Sequence, residues 1–369
     1  MASSLASIRS RVLPHFPVAA DAPLAPLGQG LINETFLLDA PAPGQPARRY
    51  VLQRVNPLFS PAIHQNIQAV TSAVAAAGLV TPALLPTREG ELCLQLPGDI
   101  AGLDGRTWRV MTYVPGHCFD VLSTDPAEAA RQAAAAGALI ARFHAALDGI
   151  SHTFVGLRAG VHDTPRHLAT LTRALAEHGA HALHAAVAPL GAQILAAAAA
   201  LPALPSLPPR ICHGDLKFNN VLFAAAVPPG SAQALCLIDL DTVGPQPLAF
   251  ELGDAWRSWC NRSGEDEPEA SLDLDIFTAS LEGYRQAYGQ PLSADQRRAL
   301  LLGPEWISLE LAARFAADAL NETYFGWNPD RFASRGAHNL VRARGQFSLH
   351  RAFVAARQAR SQALGCSVT

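Results

Sequence analysis

The sequence predicts an α+β protein of two lobes, a small β-rich N-terminal lobe followed by a large helical one. Three observations carry this. The chain has 369 residues, too long for one ordinary core. An apolar fraction of 49% against 16% charged residues supports an extensive core and argues against wholesale disorder. The texture changes near residue 120, from short strand-like segments to long alanine- and leucine-rich ones. The expected division is 1–26 as an N-terminal extension, 27–115 as the first lobe and 116–369 as the second, with a cleft between the lobes.

The elements follow in order. Residues 28–38 read as two short strands around a glycine turn, with a Pro/Gly linker at 41–46. Arg49-Tyr50-Val51-Leu52-Gln53-Arg54-Val55 is a compact strand signal. Residues 62–77 read as a helix closed by Gly78. Two further strands are expected at 91–96 and 107–114, and Pro115-Gly116 ends the β-rich part. Helical spacing then dominates 125–148, 164–200, 272–288, 293–324 and 336–363, around a non-helical block at 210–245.

Several classes are disfavoured. A net charge of −3 and a pI near 6.5 point away from nucleic acid or an acidic membrane surface as partner. Six scattered cysteines without a CxxC pair read as reduced thiols of a cytoplasmic protein. The first twenty residues contain Arg9, Arg11 and prolines and no continuous apolar stretch, so no secretory leader is expected. Residues 179–209 lack Asp, Glu, Lys and Arg. Their apolar content is mostly alanine, broken by His181, His184 and prolines, so they read as a helix of the second lobe ended by the Pro-rich 202–209. No G-x-S-x-G elbow, HExxH or metal-spaced Cys/His cluster is present.

The chemistry-bearing motif is His213-Gly214-Asp215-Leu216-Lys217-Phe218-Asn219-Asn220, followed by Leu237-Ile238-Asp239-Leu240-Asp241-Thr242. Phosphoryl transfer from ATP needs a carboxylate beside the attacking hydroxyl and oxygen ligands that hold Mg²⁺ against the phosphates. An Asp with an Asn five residues later puts a base and an amide ligand at opposite ends of one loop. An Asp closing the next apolar strand completes the metal site. Asp215, Asn220 and Asp239 meet this pattern, the logic of the kinase H-R-D-x-x-x-x-N and Asp-Phe-Gly segments. The runs at 221–223 and 235–238 flank a Pro/Gly-rich turn, and pairing them as a hairpin would bring Asn220 to Asp239.

The same residues resemble a known family, the aminoglycoside phosphotransferase-like kinases, and within it the N-acetylhexosamine 1-kinase branch. Leu31-Ile32-Asn33-Glu34-Thr35-Phe36-Leu37, Tyr50-Val51-Leu52-Gln53-Arg54-Val55-Asn56, the 213–220 loop, Ile238-Asp239-Leu240-Asp241-Thr242-Val243 and Gly253-Asp254-Ala255-Trp256-Arg257 carry it. A late Arg314-Phe315, Asp318 and Tyr324-Phe325 add to them. The resemblance implies a protein-kinase-like two-lobed fold, ATP and Mg²⁺ as cosubstrate and cofactor, and a small-molecule sugar as acceptor in a monomer or homodimer. Asp215 would be the base for an anomeric hydroxyl, Lys217 would neutralise γ-phosphate charge, and Asn220 and Asp239 would hold the metal. Asp241, two residues on, would share the side of Asp239 if the segment is extended, and assist the metal or bind a sugar hydroxyl. Arg314 and Tyr324 would contact the acceptor. Gly253-Asp254 would brace the catalytic loop, with Arg257 pairing to a carboxylate one turn along.

On the nucleotide side, Gly28-Gln29-Gly30-Leu31-Ile32-Asn33 would cover the phosphates. Asn33 replaces the third glycine of G-x-G-x-x-G, leaving Gly30, Asn33 and Thr35 as the phosphate-facing candidates. Residues 108–114 would be the hinge strand whose backbone reads adenine, with Met111 and Tyr113 beside the base. A kinase strand lysine is missing: Gln53 takes its place, and only one of Gln53 and Arg54 can face the cleft. The helix at 62–77 holds no acidic partner either, only Gln65 and Asn66. Two alternatives stay open. The acceptor could be N-acetylmuramate, an aminoglycoside or an amino alcohol, the acidic cluster Glu265-Asp266-Glu267 with Glu269 being the one local feature suited to a polycation. Or the chain could be a nucleotide-binding scaffold without turnover.

Overall fold

The computed structural model describes residues 5–28, 33–40, 48–97, 106–158, 160–225, 227–228 and 230–367. The N-terminal part is an antiparallel sheet with helices against it. Helix α1 (Leu5–Arg11) leads into β1 (Leu24–Pro26), β2 (Glu34–Ala40), β3 (Arg48–Val55), helix α2 (Ile63–Ala76), β4 (Leu84–Leu85), β5 (Leu94–Gln95) and β6 (Thr107–Thr112). The strand order is β1-β2-β3-β6-β4, with β5 also pairing β6. The first strand thus lies four residues before the expected 28–38 hairpin. Residues 29–32, Gly30 among them, fall outside the described residues.

Strand alternation decides what the sheet offers to each side. Phe36, Leu38, Leu52, Trp108 and Val110 point to one face and are sealed by Ile8, Val12, Leu13 and Phe16. Of residues 1–26, set apart from sequence as an extension, 5–16 therefore pack as a cover of the sheet and 24–26 are its first strand. Thr35, Val51, Gln53, Arg109 and Met111 point the other way and line a cleft.

A short strand β7 (His117–Cys118) links the sheet to the helical part. Helix α3 (Pro126–Leu147) starts at Asp125, whose carboxylate accepts from Glu128 N, with Pro126 at its first position. The expected single helix at 164–200 is two, α4 (Thr164–Glu177) and α5 (His184–Ala200). The break falls at Gly179, between His178 and His181, whose side chains bond Asn321 and Glu322. No helix among the described residues is long and apolar enough to cross a membrane.

Next come β8 (Arg210–Cys212), β9 (Val221–Phe223), β10 (Ala234–Leu237) and β11 (Gly244–Gln246), with β9 and β10 paired antiparallel as the expected hairpin. Helices α6 (Leu248–Trp259), α7 (Leu274–Tyr288), α8 (Ala294–Asn321), α9 (Arg335–Ala355) and α10 (Arg357–Leu364) complete the chain. Helix α6 was not among the segments expected to be helical. Its apolar residues Leu248, Leu252, Ala255, Trp256 and Trp259 recur at helical spacing and are all buried. One continuous core joins α2 and α3 to the 213–243 block and to α6 and α7. That continuity fixes the sheet over the 213–243 block. All six cysteines are free thiols.

Candidate active site

The cleft between sheet and helices has a volume of about 970 Å³. Its floor is the 213–220 loop. Gly214, at φ +82°, makes the turn, and a Cβ there would run into Gln246 and Thr242. Glu251 of α6 clamps the loop from beneath: its carboxylate accepts His213 N at 2.8 Å and Gly214 N at 2.9 Å. His144 Nε2 donates to the same carboxylate at 3.3 Å, and Tyr284 OH donates to His144 Nδ1 at 3.0 Å. Burial pushes the Glu251 carboxyl up, but these bonds outweigh it and hold it below the usual range. Burial keeps His144 below its ordinary value, hence neutral. Thr242 Oγ1 donates to His213 O and Trp259 Nε1 to Leu216 O. The bracing role expected of Asp254 thus belongs to Glu251, one turn earlier on the same helix. Asp254 holds Arg257 at 2.7 Å, as the i, i+3 spacing implied.

The loop and the strand-end Asp are brought together through the backbone. Ile238 N donates to Asn220 O at 3.0 Å, and His213 Nε2 to Ile238 O at 2.8 Å. Asp215, Lys217, Asn220 and Asp239 all line the cleft. Lys217 Nζ lies 3.3 Å from the Asp215 carboxylate. Burial pushes the Lys217 ammonium down, yet Asp215, Asp254 and Glu265 outweigh it and hold it above the usual lysine value. Asn220 Nδ2 donates to Asp215 O at 2.8 Å, which leaves its oxygen as the ligating atom. Burial first, and then the Asp241 charge, push Asp239 up to about 6 against the pull of Arg109. A carboxylate and an amide oxygen on one wall, short of compensating charge, are hard donors suited to a divalent cation such as Mg²⁺.

Asp241 is placed differently from the expectation. It does not line the cleft. Its carboxylate is buried, paired with Arg109 and accepting Asn33 Nδ2 at 2.8 Å. Burial pushes Asp241 up, but Arg109 and Asn33 outweigh it and hold it below the usual range. The parity argument fails because Asp239 is left-handed at φ 61° and residues 240–242 form a 3-10 turn, so i and i+2 do not share a side.

The nucleotide candidates Asn33, Thr35, Gln53, Met111 and Tyr113 line the sheet side. Gln53, not Arg54, faces the cleft, while Arg54 pairs with Glu34 at 3.0 Å on the opposite face. The Asn33 amide is occupied at both ends, by Asp241 and by Asn56 N, so its side chain ties β2 to the 240–242 turn. Gln65 and Asn66 are not partners of Gln53: Asn66 bonds His152 and the Val155 backbone, and Gln65 is exposed. Arg109 fills that place, its Nε donating to Gln53 Oε1 at 2.8 Å. The visible sign in the sequence was a lone arginine inside an apolar strand.

Arg314 and Tyr324 do not line the cleft either. The Asp318 carboxylate accepts the N–H groups of Thr323, Tyr324 and Phe325 and folds that loop back on α8. The Arg314 guanidinium then lies over the Tyr324 and Phe325 rings, 5.7 and 5.4 Å from their centroids. The far end of the cleft is lined instead by Asn219, Arg257, Ser258, Asn261, Glu265 and Gln346.

A family model described as the phosphotransferase enzyme family matches residues 23–301. The chain belongs to that family. It is an ATP-dependent phosphotransferase acting on an alcohol group. Its fold is similar to solved kinases of low sequence identity. A microcompartment-associated aminopropanol kinase is 19% identical over 99% of this chain and 100% of its own, with a TM-score of 0.57. Amicoumacin kinase, solved with AMP-PNP, Ca²⁺ and Ami, is 12% identical over 95% of this chain and 94% of its own, with a TM-score of 0.60. Spectinomycin phosphotransferase, solved with ADP and spectinomycin, is 13% identical over 95% of this chain and 98% of its own, with a TM-score of 0.54.

Proposed function

We propose that this phosphotransferase acts on the anomeric hydroxyl of an N-acetylhexosamine, yielding the sugar 1-phosphate and ADP. The observation that carries the acceptor class is the charge balance at the far end of the cleft. Three of the four carboxylates of the acidic cluster have a cationic partner, and the fourth, Glu269, accepts Ser348 Oγ at 2.8 Å. Glu265 pairs with Arg257 at 3.3 Å, Asp266 with Arg342 at 2.7 Å and His338 at 2.8 Å, and Glu267 with Arg331 at 3.1 Å. A polycationic acceptor would have to break these pairs. Amides and hydroxyls fill the rest, and one stands out. Gln346 is 1% exposed, lines the cleft, and its Oε1 has no hydrogen-bond partner. A neutral acceptor with hydroxyls and an amide N–H matches such a wall.

In this reading Asp215 accepts the proton of the anomeric hydroxyl as its oxygen attacks the γ-phosphorus and the bond to the β–γ bridging oxygen breaks. A hemiacetal hydroxyl is more acidic than an ordinary alcohol, so a modest base suffices. Lys217 faces the charge on the transferred group. Asn220 and Asp239 would hold Mg²⁺, which supplies charge neutralisation at the phosphates when bound. Gly30, Asn33 and Thr35 would lie over the phosphates and Met111 and Tyr113 beside adenine. Residues 27–115 would thus hold the nucleotide and 116–369 the acceptor. Use of ATP and six free thiols support a cytoplasmic setting.

The test is acceptor-dependent ADP release on N-acetylglucosamine, N-acetylgalactosamine, N-acetylmuramate, kanamycin and aminopropanol, with the product identified by NMR. The expected result is turnover on an N-acetylhexosamine with phosphate at C1, lost in a folded Asp215→Ala protein. Preference for kanamycin or aminopropanol would overturn the acceptor; turnover surviving Asp215→Ala would overturn the base.

A further inference from the structure

A triphosphate needs positive charge near its phosphates, and the strand residue that usually supplies it is the neutral Gln53. Lys217 and Arg257 belong to the other wall and already have carboxylate partners, Asp215 for the first and Asp254 and Glu265 for the second. Among the described residues, one cation lines the cleft from the sheet side: Arg109. It is the register partner of Gln53 across β3 and β6, so both side chains leave the sheet on the same face at the same height. Arg109 is 1% exposed, and two neighbours fix its orientation. Its Nε donates to Gln53 Oε1 at 2.8 Å, and its Nη1 is paired with the Asp241 carboxylate. Gln53 is itself oriented by its Nε2 donating to Thr35 Oγ1 at 3.2 Å. The other terminal nitrogen, Nη2, has no partner among the described residues.

We infer that Arg109 binds the nucleotide phosphates through this remaining nitrogen, replacing the missing strand lysine with a cation from the neighbouring strand. The helix glutamate that such a lysine needs is replaced as well. Asp241, on the 240–242 turn, balances the Arg109 charge, and Asn33 Nδ2 donates to that carboxylate at 2.8 Å. The phosphate-binding cation is thereby tied to the segment that carries Asp239. A guanidinium serves here where an ammonium would not. Its planar fork satisfies Gln53 and Asp241 in one fixed orientation and still presents a donor, a three-way geometry that a single ammonium does not reproduce. The competing role for Arg109 is neutralisation of Asp241 alone.

The inference rests on the nucleotide half of the proposed function and is independent of the acceptor. Binding of ATP and of adenosine is therefore measured by calorimetry with Mg²⁺ and without acceptor. Arg109→Lys keeps the charge and the pairing with Asp241. It is expected to weaken ATP by roughly 10-fold, with adenosine within about twofold of wild type, since one charge-assisted bond is lost. Arg109→Met with Asp241→Asn removes both buried charges at once and is expected to weaken ATP by roughly 10- to 100-fold, again sparing adenosine. Adding Gln53→Lys to that pair should restore much of the loss by returning a cation to the older position. Wild-type ATP affinity in both Arg109→Lys and the folded double variant would show that Arg109 only neutralises Asp241 and would overturn the inference. So would a folded double variant whose ATP and adenosine affinities fall together. A wild-type protein that binds no ATP overturns the nucleotide reading itself, a result distinct from either.

Discussion

Replacing Glu251 by Gln tests whether the 213–220 loop is held from below. The carboxylate is 2% exposed and accepts three hydrogen bonds, from His213 N, Gly214 N and His144 Nε2. Glutamine has the same shape but one acceptor oxygen, and its NH₂ would meet a donor. One bond to an ionised acceptor is lost, at about 1.5–3 kcal/mol, and one buried donor is left unpaired, at about 1–3 kcal/mol. The expected destabilisation is therefore roughly 2.5–6 kcal/mol, a large part of the usual net stability of a domain. Both N–H donors precede Asp215 directly, so kcat should fall with stability. Glu251 does not line the cleft, so KM for ATP should hold. Urea unfolding and steady-state kinetics on the same preparation measure both. An unfolding free energy within about 1 kcal/mol of wild type, with unchanged kcat, would refute the clamp.

Three further outcomes are expected. Asp239, pushed up to about 6, binds its proton more tightly folded than unfolded, so its ionisation costs stability. In metal-free protein Asp239→Asn should raise the thermal midpoint at pH 8 by removing that cost, which has a ceiling near ~3 kcal/mol, and the gain should shrink as pH falls through 6; a gain independent of pH would contradict this. Gly137→Ala should destabilise by about 1–3 kcal/mol in thermal or urea unfolding, since its Cβ would strike the Ser280 carbonyl where α3 crosses α7; a neutral effect would mean the crossing can open. Gln346→Leu should raise acceptor KM by roughly 10-fold with KM for ATP unchanged, because a buried amide facing the acceptor is lost; equal effects on both substrates would remove Gln346 from the acceptor wall.

What the sequence determined by itself was whatever lies in a short run. The 213–220 loop, the 221–238 hairpin and the helices at 126–147, 274–288 and 294–321 were legible because spacing and periodicity are local properties. Chain-local rules also fixed that one of Gln53 and Arg54 faces the cleft, but not which, since both strand faces are covered. The tertiary structure alone decided that and more. Arg109 reaches Asp241 across 132 positions, and Glu251 reaches the loop amides across 37 and 38, so strand register and helix packing choose these partners. A tight turn with a left-handed residue at 239 moved Asp241 out of the cleft, and Asp318 folded Tyr324 back onto Arg314. Each depends on burial and hydrogen-bond demand from groups far apart in sequence, which no local pattern encodes.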